Sequence, residues 1–367
     1  MRIAIDGGCL GVKEERLKVG IYRFASNFLS SLSVIDKKNK YDIYTFEKID
    51  EEVKKRLGNN FKNVVVRPSK GFLKFRLPVF FLVGKKDMYV GLSQALPWFH
   101  PFKTTVFIHD LAFEYYPNCY ENYKKLSAQT KKAALESDKI ITFSDKTKRD
   151  LVKIYKVDEG SIEVIRQGVD ERFEVKDRKE TERRLEKYKL GDYFLYVGAL
   201  KKIKNVPFLI KGFSRYIKKH KGKEKLVLTG SDYWLDKEIE RTIKIEGVGE
   251  QIVNLGYVED DDLVYLYNGA KAFVSASLCE GFGHPAMEAA RCGCLTILSD
   301  IDVHKENFGE VGIYFNLKSP SDLAGKLKFI FLMKEQEREK RVKIGVKISR
   351  QFRWENFSRK FLEFIEK

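Results

Sequence analysis

The sequence predicts an α/β protein with two parallel-sheet domains, and three observations support this fold class. Short apolar runs alternate with amphipathic stretches along the chain, as strands and crossover helices do in parallel sheets. The length of 367 residues exceeds what one hydrophobic core usually holds, so two domains are expected. Hydrophobic residues make up 43% and charged residues 33%, which is typical of a globular soluble protein.

The predicted strands are short apolar runs that fall into two groups. The first group comprises 3–5, 41–46, 64–66, 88–91, 105–109, 139–144 and 162–165. The second comprises 194–198, 225–230, 252–255, 272–275, 295–299 and 312–315. Two intervening stretches, 24–32 and 123–135, space their apolar residues as one face of a helix does.

These groups predict domain boundaries. Residues 1–171 form the N-terminal domain and 172–345 the C-terminal domain, joined through a charged stretch at 172–191 that has little apolar periodicity. The remaining residues, 346–367, contain a helix that we expect to pack back toward the N-terminal domain. Its apolar face carries Trp354, Phe357, Phe361 and Phe364.

The net charge of +17 calls for an anionic partner: nucleic acid, a membrane surface or a phosphorylated substrate. The basic residues are spread along the chain and no nucleic-acid motif is present, so we expect no nucleic-acid partner. The segment 71–86 mixes aromatic residues with lysine and arginine, as interfacial helices do. A buried helix leading into the strand at 88–91 is the alternative interpretation.

Other features place the protein in the cytoplasm. No run of about 18 apolar residues is present, and no signal peptide precedes the first strand. Five scattered cysteines include only one close pair, Cys292 and Cys294, so neither a disulfide framework nor a zinc site is predicted. A reducing compartment follows from this.

The most informative motif spans 280–288. An apolar run at 272–276 precedes a glycine-rich turn, and Pro285 and Gly293 fit the start and the stop of a short helix. Backbone N–H groups and the positive end of the helix dipole would converge there on an anion. Glu280 and Glu288 flank this cradle, which suits a ligand with hydroxyls and phosphates such as a nucleotide sugar; two solvated acids on a plain strand–turn–helix are the alternative.

Several segments occur in a recognisable order, namely 19–24, 106–110, 140–144, 196–198 with 204–205, 255–258 and 280–288. This order resembles the retaining glycosyltransferases of family 4, which have two Rossmann-like domains facing a central cleft (the GT-B architecture). The resemblance covers nearly the whole chain and is sharpest over 254–300. It implies an N-terminal acceptor-binding domain and a C-terminal donor-binding domain.

The resemblance also implies site residues. Glu280 would hold the transferred sugar, Glu288 the ribose hydroxyls, and His109, at the end of a strand, would touch the sugar near the reacting carbon. Lys204 would pair with the diphosphate, and the segment 256–258 would lie beside the base. The catalytic residues are then His109 and Glu280, and the donor-binding residues are Gly20, Ile21, Gly198, Lys201, Lys202, Lys204, Asn205, Gly256, Tyr257, Val258, Gly281, Phe282, Gly283, His284 and Glu288.

The chain departs from the family at positions that usually bind phosphate. Ile203 and Ala199 stand where arginines are common, and Lys201 and Lys202 on the same loop could substitute, without a bidentate fork. His284 stands where leucine is frequent. The one dense acid run, 259–262, precedes an apolar stretch and is interpreted as a helix start, so no metal site is expected.

The sequence therefore predicts a metal-independent, cofactor-free retaining hexosyltransferase. The expected donor is GDP-mannose, with UDP-glucose as the alternative, and the expected acceptor is a glycan or lipid-linked sugar in cell-surface polysaccharide assembly. The positive charge suggests a peripheral position at the anionic inner membrane face. The alternatives are an epimerase or phosphorylase on the same plan, and a non-enzymatic protein that binds anions through its basic surface.

Overall fold

The computed structural model describes residues 1–14, 18, 20–82, 84–231 and 236–367. Two residues of the segments discussed above, Val19 and Val83, lie outside this described part. The chain divides into two compact units. One comprises Met1–Gly168 with Arg353–Lys367, and the other comprises Val169–Phe352.

The N-terminal unit is built on a seven-stranded parallel sheet in the order β3-β2-β1-β4-β5-β6-β7. Its strands are mostly buried, which explains their continuous apolar runs. The strands are β1 Arg2–Asp6, β2 Lys40–Thr45, β3 Phe61–Val65, β4 Met88–Gly91, β5 Lys103–Ile108, β6 Lys139–Thr142 and β7 Ile162–Val164. The helices are α1 Ile21–Ile35, α2 Glu51–Lys55, α3 Leu77–Phe81, α4 Ala112–Tyr115, α5 Tyr123–Glu136, α6 Asp145–Asp150 and, from the end of the chain, α15 Trp354–Glu366.

The C-terminal unit has a six-stranded parallel sheet in the order β10-β9-β8-β11-β12-β13. The strands are β8 Tyr193–Val197, β9 Lys225–Thr229, β10 Ile252–Gly256, β11 Ala272–Ser275, β12 Thr296–Ser299 and β13 Ile313–Phe315. The helices are α7 Arg178–Leu185, α8 Val206–His220, α9 Glu238–Glu246, α10 Asp260–Gly269, α11 His284–Arg291, α12 Asp302–Phe308, α13 Pro320–Leu332 and α14 Glu335–Ser349.

The predicted fold class of two Rossmann-like parallel-sheet domains is confirmed. Each predicted strand appears within a residue or two except the third, which was predicted at 64–66 and begins three residues earlier, at Phe61. The two predicted helical stretches are α1 and α5. Among the described residues, every helix is too short or too polar to span a lipid bilayer.

The division between the units differs slightly from the predicted boundaries. It falls after Gly168 rather than after Glu171, and residues 346–352 stay with the C-terminal unit, where the ring of Phe352 packs edge-on against Phe282. From Arg353 onward the chain belongs to the N-terminal unit. There the aromatic side chains of α15 pack on α1. Gly168 is so close to Trp354 that a Cβ at position 168 would lie 2.4 Å from the backbone nitrogen of Trp354.

Candidate active site

The sheet order of the C-terminal unit creates one crevice at its carboxyl edge. From β8 the chain runs outward to β9 and β10, and then crosses back to place β11 on the other side of β8. Loops that follow β8 and β11 therefore leave the sheet side by side but turn away in opposite directions. Ligands of open parallel sheets bind at this switch point. The loop after β8 carries Lys204, and the loop after β11 carries Glu280.

Lys204 and Glu280 form an ion pair in this crevice. The Lys204 Nζ lies 2.6 Å from Glu280 Oε1, and the Ser277 hydroxyl donates to the same oxygen at 2.6 Å. Burial raises the pKa of the Glu280 carboxyl, but the charge of Lys204 and the hydrogen bonds from Lys204 and Ser277 outweigh it, so this pKa lies below its ordinary value of 4.5. Glu280 is thus a fixed carboxylate at neutral pH.

A backbone contact holds the two loops together. The Leu278 N–H, two residues before Glu280, donates to the Ile203 carbonyl at 3.0 Å. The Ile203 side chain is buried in the C-terminal unit. Ile203, at a position where the family resemblance led us to expect arginine, therefore serves to anchor the loop that presents Lys204.

The glycine-rich turn leads directly into α11, as the sequence predicted. Gly283 adopts φ +85° just before the helix, a conformation that favours glycine, and Pro285 lies in the first turn. Gly293 ends the helix at φ +74°. The Asn307 amide donates to the Phe282 carbonyl at 2.6 Å and pins the turn from α12. The positive end of the α11 dipole is therefore held beside Glu280 and Lys204.

His304 is a site residue to which the sequence assigned no role. It lies on α12, is buried, and joins Lys204, Ser277, Glu280 and Gly283 in lining a small cavity of about 10 Å³. Because a carbonyl only accepts, the His304 Nδ1–H must donate to the Ser299 oxygen at 2.9 Å. Burial lowers the pKa of His304, so the ring is neutral and its Nε2 is an acceptor. The signal that could have revealed it is its place just after the buried strand β12.

Glu288 lies inside α11 and is buried, with only 6% of its surface exposed. The Tyr267 hydroxyl donates to its Oε2 at 3.0 Å. The carboxylate is therefore positioned by α10 as well as by its own helix. Its assignment to the ribose hydroxyls stays a prediction.

Three glycines lie at the carboxyl ends of β8, β9 and β10, at the same edge of the sheet. Gly198 and Gly256 were predicted as donor-binding residues, whereas Gly230 was not. Gly230 has φ +141°, and a Cβ there would lie 2.1 Å from the Gly198 oxygen. The turns after β8 and β9 can approach each other only because Gly198 and Gly230 have no side chains. The result is an open backbone rim beside Tyr257, which is exposed, and Val258, which is half-buried.

The remaining residues of the loop after β8 have distinct surroundings. Asn205 has φ +54° and precedes α8, Lys202 is exposed, and Lys201 is half-buried. Both lysines thus lie at the surface of the loop, in a position from which, as the sequence indicated, they could substitute for the missing arginines. The structure brings Lys204, Glu280 and residues 281–284 together; phosphate contacts of Lys201 and Lys202 stay predictions.

The acid run at 259–262 is a helix start, as predicted. Glu259 precedes α10, and Asp262 accepts from Arg184 at 2.6 Å and from Tyr188 at 2.7 Å, with Lys187 also paired to it. Within the described residues, no cluster of three or more potential metal ligands is present. Asp262 therefore serves the packing of α10 against α7.

The predicted residues of the N-terminal unit lie at the carboxyl edge of its own sheet. His109 follows β5; its Nε2 donates to the Leu92 carbonyl at 2.9 Å and its backbone N–H donates to Gln94 Oε1 at 2.7 Å. Burial between Phe24 and Phe143 lowers the pKa of His109 to about 4. His109 is therefore a neutral ring whose Nδ1 is an acceptor.

Gly20 and Ile21 open α1. Gly20 has φ +51° and is exposed, and a Cβ there would meet nothing within 4 Å. Ile21 is half-buried as the first residue of the helix. The roles that the resemblance gives to His109, Gly20 and Ile21 stay predictions.

Two Rossmann-like domains, one of them with a lysine–carboxylate pair beside a helix start at its switch point, follow the plan of a glycosyltransferase. Comparison with known proteins agrees. A model of the family described as glycosyl transferases group 1 matches residues 177–347. The chain is therefore a glycosyltransferase, and its C-terminal domain belongs to group 1.

The relatives are enzymes of the same kind. O-antigen chain mannosyltransferase B of Escherichia coli is 28% identical over 282 residues, which cover 74% of this chain and 72% of that protein. A serotype-specific mannosyltransferase WbdA of Escherichia coli is 31% identical over 260 residues, which cover 66% of this chain but 31% of WbdA. This chain thus matches less than a third of the WbdA length.

Among solved structures, a sucrose-phosphate synthase from Thermosynechococcus elongatus has the same fold. It aligns with a TM-score of 0.82 over 100% of this chain and 98% of its own, at 16% sequence identity. The fold class of this chain as a two-domain glycosyltransferase of GT-B type agrees with this likeness.

Proposed function

We propose that the protein transfers mannose from GDP-mannose to a glycan or lipid-linked acceptor in the assembly of a cell-surface polysaccharide. The observation that carries this proposal is the Lys204–Glu280 pair at the start of α11. Two relatives whose names record mannosyl transfer, one of them an O-antigen enzyme, support the sugar and the type of product.

In the proposed reaction the bond between the sugar C1 and the diphosphate oxygen breaks, and C1 bonds to the acceptor oxygen on the same face. The acceptor proton passes to the leaving phosphate. The configuration at C1 is thereby retained, with no covalent Glu intermediate. The charge that develops on the diphosphate would be stabilised by Lys204 and by the N–H groups at the start of α11.

Glu280 would serve the sugar. Lys204 and Ser277 share its Oε1, so Oε2 is the oxygen suited to accept hydrogen bonds from sugar hydroxyls. When a diphosphate reaches Lys204, the ammonium can contact both phosphate and carboxylate, because it has three donors. Glu280 then orients the sugar while remaining ionised.

We propose that this reaction requires neither a metal ion nor another cofactor. In metal-dependent transferases, clustered carboxylates hold the ion. Here the one dense acid run is occupied by partners: Arg172 pairs with Asp260 at 3.1 Å, and Arg184 with Asp262 at 2.6 Å. Transfer in the presence of EDTA is the direct test, and full activity is expected.

A thermal-shift series with GDP, GDP-mannose, UDP and UDP-glucose tests the donor. A ligand that binds only the folded state raises the melting temperature by mass action, more so as its concentration rises. We expect stabilisation by GDP and GDP-mannose that is lost in Lys204→Met. Stabilisation by UDP and UDP-glucose alone would show that the donor is a UDP-sugar and not GDP-mannose. The absence of a shift with any nucleotide would contradict the proposed donor site.

We also propose that the acceptor is lipid-linked and that the enzyme works peripherally at an anionic membrane surface. The net charge of +17 supports this position, because lysines and arginines near a membrane are attracted to anionic lipid headgroups. Transfer to a soluble oligosaccharide at the same rate as to a lipid-linked one would argue against it.

A further inference from the structure

The sequence left two interpretations of the segment 71–86 open, an interfacial helix and a buried helix. In the structure one side of this segment is buried and the other side is exposed. A π-helical turn, Phe72–Arg76, runs directly into α3. Phe72, Leu77 and Phe81 point into the core of the N-terminal unit. The opposite side of the same helical stretch is apolar but exposed, and no packing among the described residues of the unit covers it.

The exposed side has helical spacing. Phe75, Val79 and Leu82 stand at i, i+4 and i+7, with 61%, 59% and 72% of their surface exposed. The Trp98 N–H donates to the Leu73 carbonyl at 3.3 Å, which brings the exposed Trp98 and its neighbour Phe99 beside the start of the helix. We call this surface the aromatic face, consisting of Phe75, Val79, Phe80, Leu82, Trp98 and Phe99.

The chain around the aromatic face is basic. Residues 67–86 contain six lysines and arginines and no acid. Lys86 is buried against Asp42 and Arg67 pairs with Glu47 at 2.5 Å, so these two are neutralised. Lys70, Lys74 and Lys85 are exposed, and none of them has an acidic partner among the described residues. The Lys74 Nζ lies 5.1 Å from the centre of the Phe75 ring.

We infer that the aromatic face inserts into the headgroup region of an anionic lipid bilayer, an inference that rests on the proposed work at a membrane surface. The apolar side chains would enter the boundary between headgroups and acyl chains, and Lys70, Lys74 and Lys85 would remain among the phosphates. Interfacial helices have the same arrangement, with tryptophan and phenylalanine at the level of the headgroups and the cations among the phosphates. Both contributions come from the N-terminal unit, the lysines from the segment 70–85 and the apolar side chains from that segment and from Trp98 and Phe99.

The test is co-sedimentation of the full chain with vesicles of phosphatidylcholine, with and without phosphatidylglycerol. We expect binding to the anionic vesicles, weakened by salt but not abolished, because the apolar part is not screened. The triple variant Phe75→Ser, Val79→Ser, Leu82→Ser should bind about tenfold more weakly or worse. All three side chains are exposed, so the variant should fold.

A matched control removes a similar amount of exposed apolar surface elsewhere. Val34, Ile245 and Leu332 are 69%, 69% and 68% exposed, and their triple serine variant should bind vesicles as the wild type does. Quenching of tryptophan fluorescence by brominated lipid, lost in Trp98→Phe, would place the face at the lipid directly. Equal losses in the two triple variants, or no binding by the wild type, would overturn the inference.

Two further readouts distinguish lipid docking from self-association of the chain and from a failure of the donor site. If the aromatic face joins two copies of the chain, light scattering will show a dimer that the Phe75 triple variant converts to a monomer, and lipid docking is then wrong. The nucleotide-induced thermal shift should be the same in the triple variant as in the wild type. Failure of vesicle binding with an intact shift rejects only the docking face, whereas absence of the shift in the wild type rejects the donor assignment.

Discussion

Lys204 and Glu280 are 76 residues apart in the chain, yet their charged groups meet at 2.6 Å. They follow β8 and β11, which are neighbours in the sheet because the chain reverses its direction of winding between them. At the start of α11 the pair combines an ammonium group, which suits phosphate, with a carboxylate, which suits sugar hydroxyls.

Replacing Lys204 with methionine should lower kcat/KM by roughly 100- to 1,000-fold, because the leaving diphosphate loses a positive charge in a largely buried site. The effect should appear in KM, because donor binding is weakened, and also in kcat, because the lysine acts on the charge that develops during transfer. Steady-state kinetics with saturating acceptor measures it. Lys211→Met, an exposed change on α8, is the matched control and should leave kcat/KM unchanged.

His109 should make stability depend on pH. The folded state keeps its ring neutral down to a pKa of about 4, while the unfolded chain takes up a proton near 6.5. The contribution is therefore complete above pH 6.5 and is lost as the pH falls toward 4, by up to about 3 kcal/mol. Urea unfolding at pH 7 and pH 5 should show a smaller loss of stability in His109→Gln than in the wild type. The same pH dependence in both would show that His109 is not buried as described, and His100→Gln serves as the control.

His304 is expected to position the turn before α11 and the Glu280 carboxylate. His304→Leu removes the donor to the Ser299 carbonyl and should lower both kcat/KM and stability, the latter by about 1–3 kcal/mol for the unpaired buried group. His304→Asn can keep that hydrogen bond and should recover most of the stability. A positioning role further predicts that His304→Asn shifts the acidic limb of the pH–kcat profile, which reports on Glu280. An unchanged profile would leave His304 with a purely structural role.

Gly230→Ala tests the close approach of the turns after β8 and β9. The new Cβ would lie 2.1 Å from the Gly198 oxygen, at a φ of +141° that alanine disfavours. We expect the free energy of unfolding to fall by roughly 2–4 kcal/mol. Gly325→Ala is the matched control, since a Cβ there meets nothing within 4 Å and the position is inside α13. That change should stabilise by up to about 1 kcal/mol, and equal melting temperatures for both variants would contradict the packing argument.

Much of the fold and part of the site could be predicted from local sequence. The strands were visible because buried parallel strands are continuous apolar runs, and α11 was visible because Gly283, Pro285 and Gly293 each suit one backbone position. The acid run before α10 was correctly interpreted as a helix start, because acids favour the first turn of a helix. His304 was missed because its helix begins without a distinctive capping residue and its partner at Ser299 is a main-chain carbonyl.

The sequence by itself therefore determined the order of strands and helices and the helix start at 284, because these depend on periodicity and on the backbone preferences of single residues. Only the tertiary structure decided which loops meet. The sheet order sets β8 beside β11, the Ile203 carbonyl binds the Leu278 N–H, and Lys204 reaches Glu280. Such contacts follow from the crossing of the chain through the sheet, and no local pattern of residues encodes them.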